Sequence, residues 1–278
     1  MSKAKIIVLA GQSNAVGVGY VKYLSRHFSE AKVNQFKQGY DKILMNYYSH
    51  DMKSEGFVKT TINCAEKSKD TFGPEVGIAD YLSEKYPDEK IFIVKCAVGG
   101  TNIFHDWLSP SNKGEYNEAA FGFGNTEGEN YRKAGWHFNE LMKILDESIS
   151  ILENQGYDPE ICAFCWMQGE SDAFETYTVE KYGERYENML KDLNEKFGKY
   201  MENCVYIDAG ISEVWQYYKE INAFKEKHAK ETPNSFYIDT IAEGLVTSKE
   251  PEEEVDIAHY DSDCTIKLGY LFAEKIKI

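Results

Sequence analysis

Three runs of apolar residues punctuate the chain: Lys5 to Leu9, Ile91 to Ala97 and Ile161 to Met167. Each is too short to make a stable helix of its own. Each gives way to small polar residues, namely Gly11-Gln12-Ser13-Asn14, Gly99-Gly100-Thr101-Asn102 and Gln168-Gly169-Glu170. A short run that is apolar throughout, with no alternation, predicts a strand covered on both faces, as in a parallel sheet. Helical patterns lie between the runs. Gly73-Pro74-Glu75 opens one that reaches about Tyr86, and His137 to Leu152 places Leu141, Ile144, Leu145, Ile149 and Leu152 on one face. Val179 to Phe197, Ser212 to about Lys230 and Ser262 to Ile276 read as further helices. Ile43 to Tyr48, Phe57 to Ile62, Val205 to Ile207 and Phe236 to Asp239 read as weaker strands. Strands alternating with helices imply βαβ units, hence an α/β fold around a parallel sheet. No repeat or Pro-rich linker divides the 278 residues, so residues 1–278 are expected to form a single domain.

Charge narrows the partners. The chain carries 31 Lys plus Arg against 46 Asp plus Glu, a formal charge of −15. That excess argues against nucleic acid and against an anionic membrane surface, both of which select for basic residues. No stretch of about 18 apolar residues is present to cross a membrane. The five apolar residues from Ile6 to Ala10 are too few for the apolar core of a signal peptide, which predicts a cytoplasmic protein. Cys162 and Cys165 form a CxxC, but residues three apart on a strand face opposite sides, and no second CxxC or HExxH exists. No metal site is expected.

Ligands of open parallel sheets bind at the carboxyl ends of the strands. The three polar segments at residues 11–14, 99–102 and 168–170 all follow strands, and Asp256-Ile257-Ala258-His259 lies just before the last helix. Singly, each is cheap: a small polar turn often serves only as a turn or helix cap. An Asp-x-x-His match arises by chance in a chain of this composition with probability of about 0.3. Jointly they supply a hydroxyl nucleophile, an imidazole base, an orienting carboxylate and amide donors, the inventory of acyl transfer. The G-x-S-x-G elbow, the dinucleotide fingerprint and the P-loop are all missing.

These segments, with Phe72-Gly73-Pro74-Glu75 and Trp166-Met167-Gln168-Gly169-Glu170-Ser171-Asp172, resemble the SGNH hydrolase superfamily. Within it they resemble the sialate O-acetylesterase-like and acetylxylan esterase-like group, carbohydrate esterase family six. The blocks run in that group's order from residue 11 to residue 259. The resemblance implies a three-layer α/β/α sandwich, flavodoxin-like, with a five-stranded parallel sheet. It implies an acetylated carbohydrate as substrate and no cofactor. By position, Ser13 would be the nucleophile, His259 its base and Asp256 the orienting partner. Ser13 N–H, Gly100 N–H and the Gln168 side-chain amide would form the oxyanion hole, with Gly99 as the alternative to Gly100. Gln12, Asn14 and Glu170 would line the substrate site, Glu170 and Asp172 also being candidates to hold the Gln168 loop.

The long connection from Thr101 to Gly135 offers Trp107, Tyr116, Phe121, Phe123 and Trp136 as candidate walls for a sugar ring, and Arg132 as a candidate partner for a substrate carboxylate. For most of these aromatics, core packing is the competing role. Two other functions compete with sugar deacetylation on the same residues. One is an SGNH acyl hydrolase acting on lipid or thioester; the other is a catalytically idle carbohydrate-binding protein.

Overall fold

The computed structural model describes residues 2–49, 52–62, 70–115 and 133–278. Its elements in chain order are β1 (Lys3–Gly11), α1 (Ser13–Val16), β2 (Gly19–Tyr20), α2 (Glu30–Gln38), β3 (Tyr40–Ser49), β4 (Met52–Lys53), β5 (Val58–Thr60), β6 (Thr71–Phe72), α3 (Glu75–Lys85), β7 (Ile91–Ala97), α4 (Trp136–Asn154), β8 (Asp158–Met167), α5 (Thr176–Phe197), β9 (Val205–Ala209), α6 (Tyr218–Glu231), β10 (Ser235–Ile238) and α7 (Ser262–Lys275). The main sheet runs β10-β9-β8-β1-β7-β3-β4, with β5 also paired to β3, and β2 and β6 make a separate ribbon.

Strands β7-β1-β8-β9-β10 are parallel and give the doubly wound order 2-1-3-4-5. The sheet exceeds the expected five strands. β3 joins β7 in parallel as a sixth, and β4 and β5 then pair antiparallel to β3. These two short strands cover an edge that would otherwise expose unpaired backbone. β1 lies at the centre between β7 and β8, so the crevice at its carboxyl end is the topological switch point of the fold.

The fully apolar runs behave as expected: Ile6 to Leu9 and Ile91 to Val94 are buried, covered on both faces by helices. α4, α5 and α6 follow β7, β8 and β9 as right-handed crossovers and so share one face. α3 and α7 pack on each other against the sheet's other face. The apolar stripe of α4 that the sequence predicts, Leu141 to Leu152, is buried as a unit with Phe138.

Two helix boundaries depart from the sequence reading. α2 escapes it, although Ser29 caps its start and Gly39, at φ 73°, ends it; only Val33 and Phe36 face the core, too few to make a periodic signal. α6 begins at Tyr218 rather than Ser212. The Asn222 side chain holds both the N–H and the C=O of Ile211, at 2.8 and 2.9 Å, which keeps the preceding segment out of the helix. Residues 212–217 are thereby left as a loop beyond β9.

α3 and α7 touch through glycine. A methyl group on Gly269 would lie 2.2 Å from the Pro74 carbonyl oxygen, and one on Gly77 would lie 2.2 Å from that of Ile266. Alanine would gain about 1 kcal/mol of helix propensity. The obstructing atoms are backbone, however, so the helices must separate, at a cost of up to about 3 kcal/mol. Gly269→Ala is therefore expected to lower unfolding stability by about 2 kcal/mol, read as a lower urea midpoint at unchanged slope.

Candidate active site

The register of the sheet sets the site. Gly11 pairs with Ala97 on one side and with Met167 on the other, so residues 12–14, 98–101 and 168–170 emerge side by side. Gln12 N–H donates to the Met167 carbonyl at 2.9 Å, continuing the ladder one step past β1. Only glycine fits at position 11, since a Cβ there would lie 1.9 Å from that carbonyl oxygen. The chain then turns directly into α1, with Ser13 as its first residue, half-buried. The first N–H groups of a helix have no partner within it. Among the described residues, none accepts from Ser13 N–H or Asn14 N–H.

Asn14 fastens this turn to two distant segments. Its Nδ2 donates to Glu170 Oε1 at 2.8 Å and to the Ala258 carbonyl at 3.3 Å, and its Oδ1 accepts from Tyr260 N–H at 3.1 Å. Asn14 thus grips the chain on either side of His259. The ring of His259 meets Asp256 through Nδ1 and Oδ2 at 2.6 Å, and Asp256 Oδ1 accepts from Ala258 N–H at 3.0 Å. Ser13, His259 and Asp256 are in this way drawn to one edge of the sheet. Ser13 Oγ and the His259 ring make no hydrogen bond with each other in this structure.

The remaining site expectations divide. Gly100 is exposed at φ 72° with open space around it, and Gly99 beside it is half-exposed; no described residue accepts from either N–H. Gln168 lies beside these segments. Its Nε2 faces Gln12 Oε1 at 3.2 Å, the Thr101 carbonyl at 3.1 Å and Asp172 Oδ2, so three internal acceptors compete for two hydrogens. These contacts tie the Gln168 amide to the Gly99-Gly100-Thr101 turn.

Gln12, Asn14 and Glu170 are each buried and bonded within the protein. Gln12 Oε1 also accepts from Ser171 N–H at 3.2 Å. Burial raises the Glu170 carboxyl above its usual range, with Asn14 pulling the other way. The Asp172 carboxylate accepts from Ile103 N–H as well as Gln168, and burial lifts it to about 7 against those donors. Trp107 is buried with its indole on Thr101 Oγ1, and Trp136 donates to Asp106 at 2.8 Å. Tyr116, Phe121, Phe123 and Arg132 lie outside the described residues.

Two buried lysines escaped the sequence reading. Lys95 stands inside the apolar run of β7, which was its only signal. It pairs with Glu75 at 2.8 Å and donates to the Val16 carbonyl at 2.6 Å, holding the far end of α1. Glu75 also accepts from Gly73 N–H, which gives Phe72-Gly73-Pro74-Glu75 a physical role. Across the site, Lys225 of α6 donates to the carbonyls of Gln168 at 2.6 Å and Ala209 at 2.8 Å, and to Asp208 at 2.7 Å. Among the described residues no three His, Cys, Asp or Glu side chains are grouped to hold a metal ion, and no helix is long and apolar enough to cross a membrane.

A sequence profile for carbohydrate esterases, described as sialic acid-specific acetylesterase, matches residues 3–277. The chain belongs to this family, and with it to the carboxylic ester hydrolases that act as carbohydrate O-acetylesterases. No curated protein matches the chain. Among solved structures it is similar to NanS, with a TM-score of 0.66 at 13% identity over 99% of this chain and 96% of that one. It is similar to a protein from Arabidopsis thaliana, at 0.63 and 20% identity over 97% and 96% of the two chains. It also resembles a carbohydrate acetylesterase from Xanthomonas citri, at 0.63 and 13% identity, over 98% of this chain and 55% of that one. At these identities the solved structures establish the shared fold.

The buried charges make two measurable statements. Lys95→Met leaves Glu75 buried and unpaired, which is expected to cost about 3–5 kcal/mol, whereas Lys95→Met with Glu75→Leu should recover most of that loss. Urea unfolding of both variants checks it. Asp172 binds its proton more tightly folded than unfolded. Its contribution to stability is therefore complete below about pH 4 and is lost as pH rises through about 7. Between pH 5 and 8 wild type should lose more stability than Asp172→Asn, by on the order of 2 kcal/mol.

Proposed function

We propose that the protein removes O-acetyl groups from carbohydrate, of sialate or xylan type, by a serine mechanism. Ser13 Oγ attacks the acetyl carbonyl while His259 takes its proton. The sugar alkoxide leaves with that proton, and an acetyl group remains on Ser13. Water, deprotonated by the same imidazole, then attacks the acetyl-serine, and acetate departs as Ser13 recovers its proton. Asp256 fixes the ring so that Nδ1 is the donor to the carboxylate and Nε2 is free to accept, and it stabilises the cation formed. The observation that carries this reading is the 2.6 Å contact between Asp256 and His259, held beside the Ser13 turn by Asn14.

The oxyanion in this scheme is met by backbone donors, Ser13 N–H and Gly100 N–H, Gly99 being the alternative. Gln168 contributes by holding Thr101 and so the shape of the glycine turn. A preorganised donor of this kind is worth roughly 3 kcal/mol in the transition state.

Ser13→Ala is expected to lower kcat/KM for an acetylated sugar by about a thousandfold or more at unchanged stability, and Asp256→Asn by about 10²–10⁴-fold. Acetate release from O-acetyl sialic acid and from acetylated xylan, measured side by side, assigns the sugar. A purified, folded Ser13→Ala protein that retains the wild-type rate contradicts the mechanism. Faster release of octanoate than of acetate from matched esters assigns the chain to longer acyl groups instead.

A further inference from the structure

Large apolar side chains left in solvent are few, and their distribution is uneven. Of the eight exposed among the described residues, Phe174, Tyr177, Val214, Ile241, Val255 and Ile257 all lie beyond the carboxyl ends of strands or in the His259 loop. Exposed apolar residues scattered singly need no explanation, but a set gathered at one rim of the sheet invites one. Ile257, the most open at 58% exposure, stands between Asp256 and His259.

The aromatic part of this rim is built by two loops that meet. Tyr217 N–H donates to the Ala173 carbonyl at 3.1 Å, so the loop after β9 is fastened to the loop after β8. Next to that junction Phe174 and Trp215 stand edge to face, with centroids 5.3 Å apart. The junction belongs to the site. Ala173 N–H donates to the Glu170 carbonyl, and Glu170 holds Asn14, the neighbour of Ser13. On the other side Tyr260, next to His259, donates its hydroxyl to the Gly210 carbonyl at 3.2 Å. Trp215 is not anchored there by its own polar atom, since its indole N–H is covered and has no acceptor among the described residues. A covered N–H without an acceptor costs about 1–3 kcal/mol. Trp215 is half-buried against the core, and that packing offsets the cost.

We propose that the Phe174–Trp215 pair, set at 81° to each other, forms an aromatic corner against which the sugar ring of the substrate lies, one ring offering its face and the other its edge, while its acetyl group reaches Ser13. This rests on the deacetylase reading above and names the surface that selects carbohydrate. The axial C–H groups of a pyranose make an apolar face, and they carry a small positive charge that complements the negative face of an aromatic ring. Apolar and aromatic side chains make up most of the lining of small-molecule sites.

The test compares an O-acetylated pyranoside with ethyl acetate, which has no ring to stack. Trp215→Ala and Phe174→Ala should each lower the ratio of kcat/KM for the sugar ester to that for ethyl acetate by about tenfold, mainly through KM, and Trp215→Phe should restore most of the ratio. Loss of both activities in equal proportion, or an unchanged ratio, overturns the proposal. So does a loss confined to an octanoyl ester, which would make the rim an acyl-chain surface. Binding separates this proposal from the mechanism. In a Ser13→Ala background, titration calorimetry with the same pyranoside should show about tenfold weaker binding when Trp215→Ala is added. That result stands whether or not Ser13 is the nucleophile, and equal affinities would refute the aromatic corner alone.

Discussion

The side-chain amide of Asn14 is the contact on which the site's geometry depends. It joins the turn after β1 to two stretches that lie 156 to 246 residues further along the chain, the loop after β8 and the His259 loop. An amide suits this task because it donates twice and accepts through the other end. Each bond adds only about 1 kcal/mol net. Their joint effect is to fix the distance between a serine on one loop and a histidine on another, and an error of one ångström there would cost the reaction far more than it costs the fold.

Buried charge frames that contact on both sides. Lys95 with Glu75 fixes the far end of α1, while Lys225 with Asp208 fixes the backbone at Gln168. Apolar pairs of equal volume would serve stability as well or better. What they would not do is hold the carbonyls of Val16, Gln168 and Ala209 at chosen places. The lysines sit where backbone leaves regular structure next to the switch point, and irregular backbone in a dry interior needs donors. Gln12, Asp172 and Asn222 meet the complementary need, their side-chain oxygens accepting from the backbone N–H groups of Ser171, Ile103 and Ile211. The substrate residues expected from the sequence are also part of the frame of the site.

What the sequence made legible were features with a period or a fixed spacing. The central strands could be read because burial on both faces makes them apolar without interruption, and α4 because its stripe repeats every three to four residues. Asp256 and His259 could be paired because three residues of loop bring them into contact. β3 was foreseen as a strand but not as a member of the parallel set, since its partner β7 is chosen by topology and not by any residue in it. The start of α6 was misplaced because Asn222 acts across eleven positions. The contacts of the Gln168 amide were illegible for a similar reason. Its acceptors are Gln12, Thr101 and Asp172, and only the last is close to it in the chain.

The central claim is that Ser13 carries the acetyl group between the sugar and water. Rapid-quench mass spectrometry of the enzyme mixed with an acetyl ester tests it most directly. The account predicts a transient acetyl adduct on the peptide containing Ser13, formed and lost at rates consistent with turnover and prolonged by Asp256→Asn. Turnover at the wild-type rate with no adduct at Ser13, or an adduct confined to another residue, would contradict it.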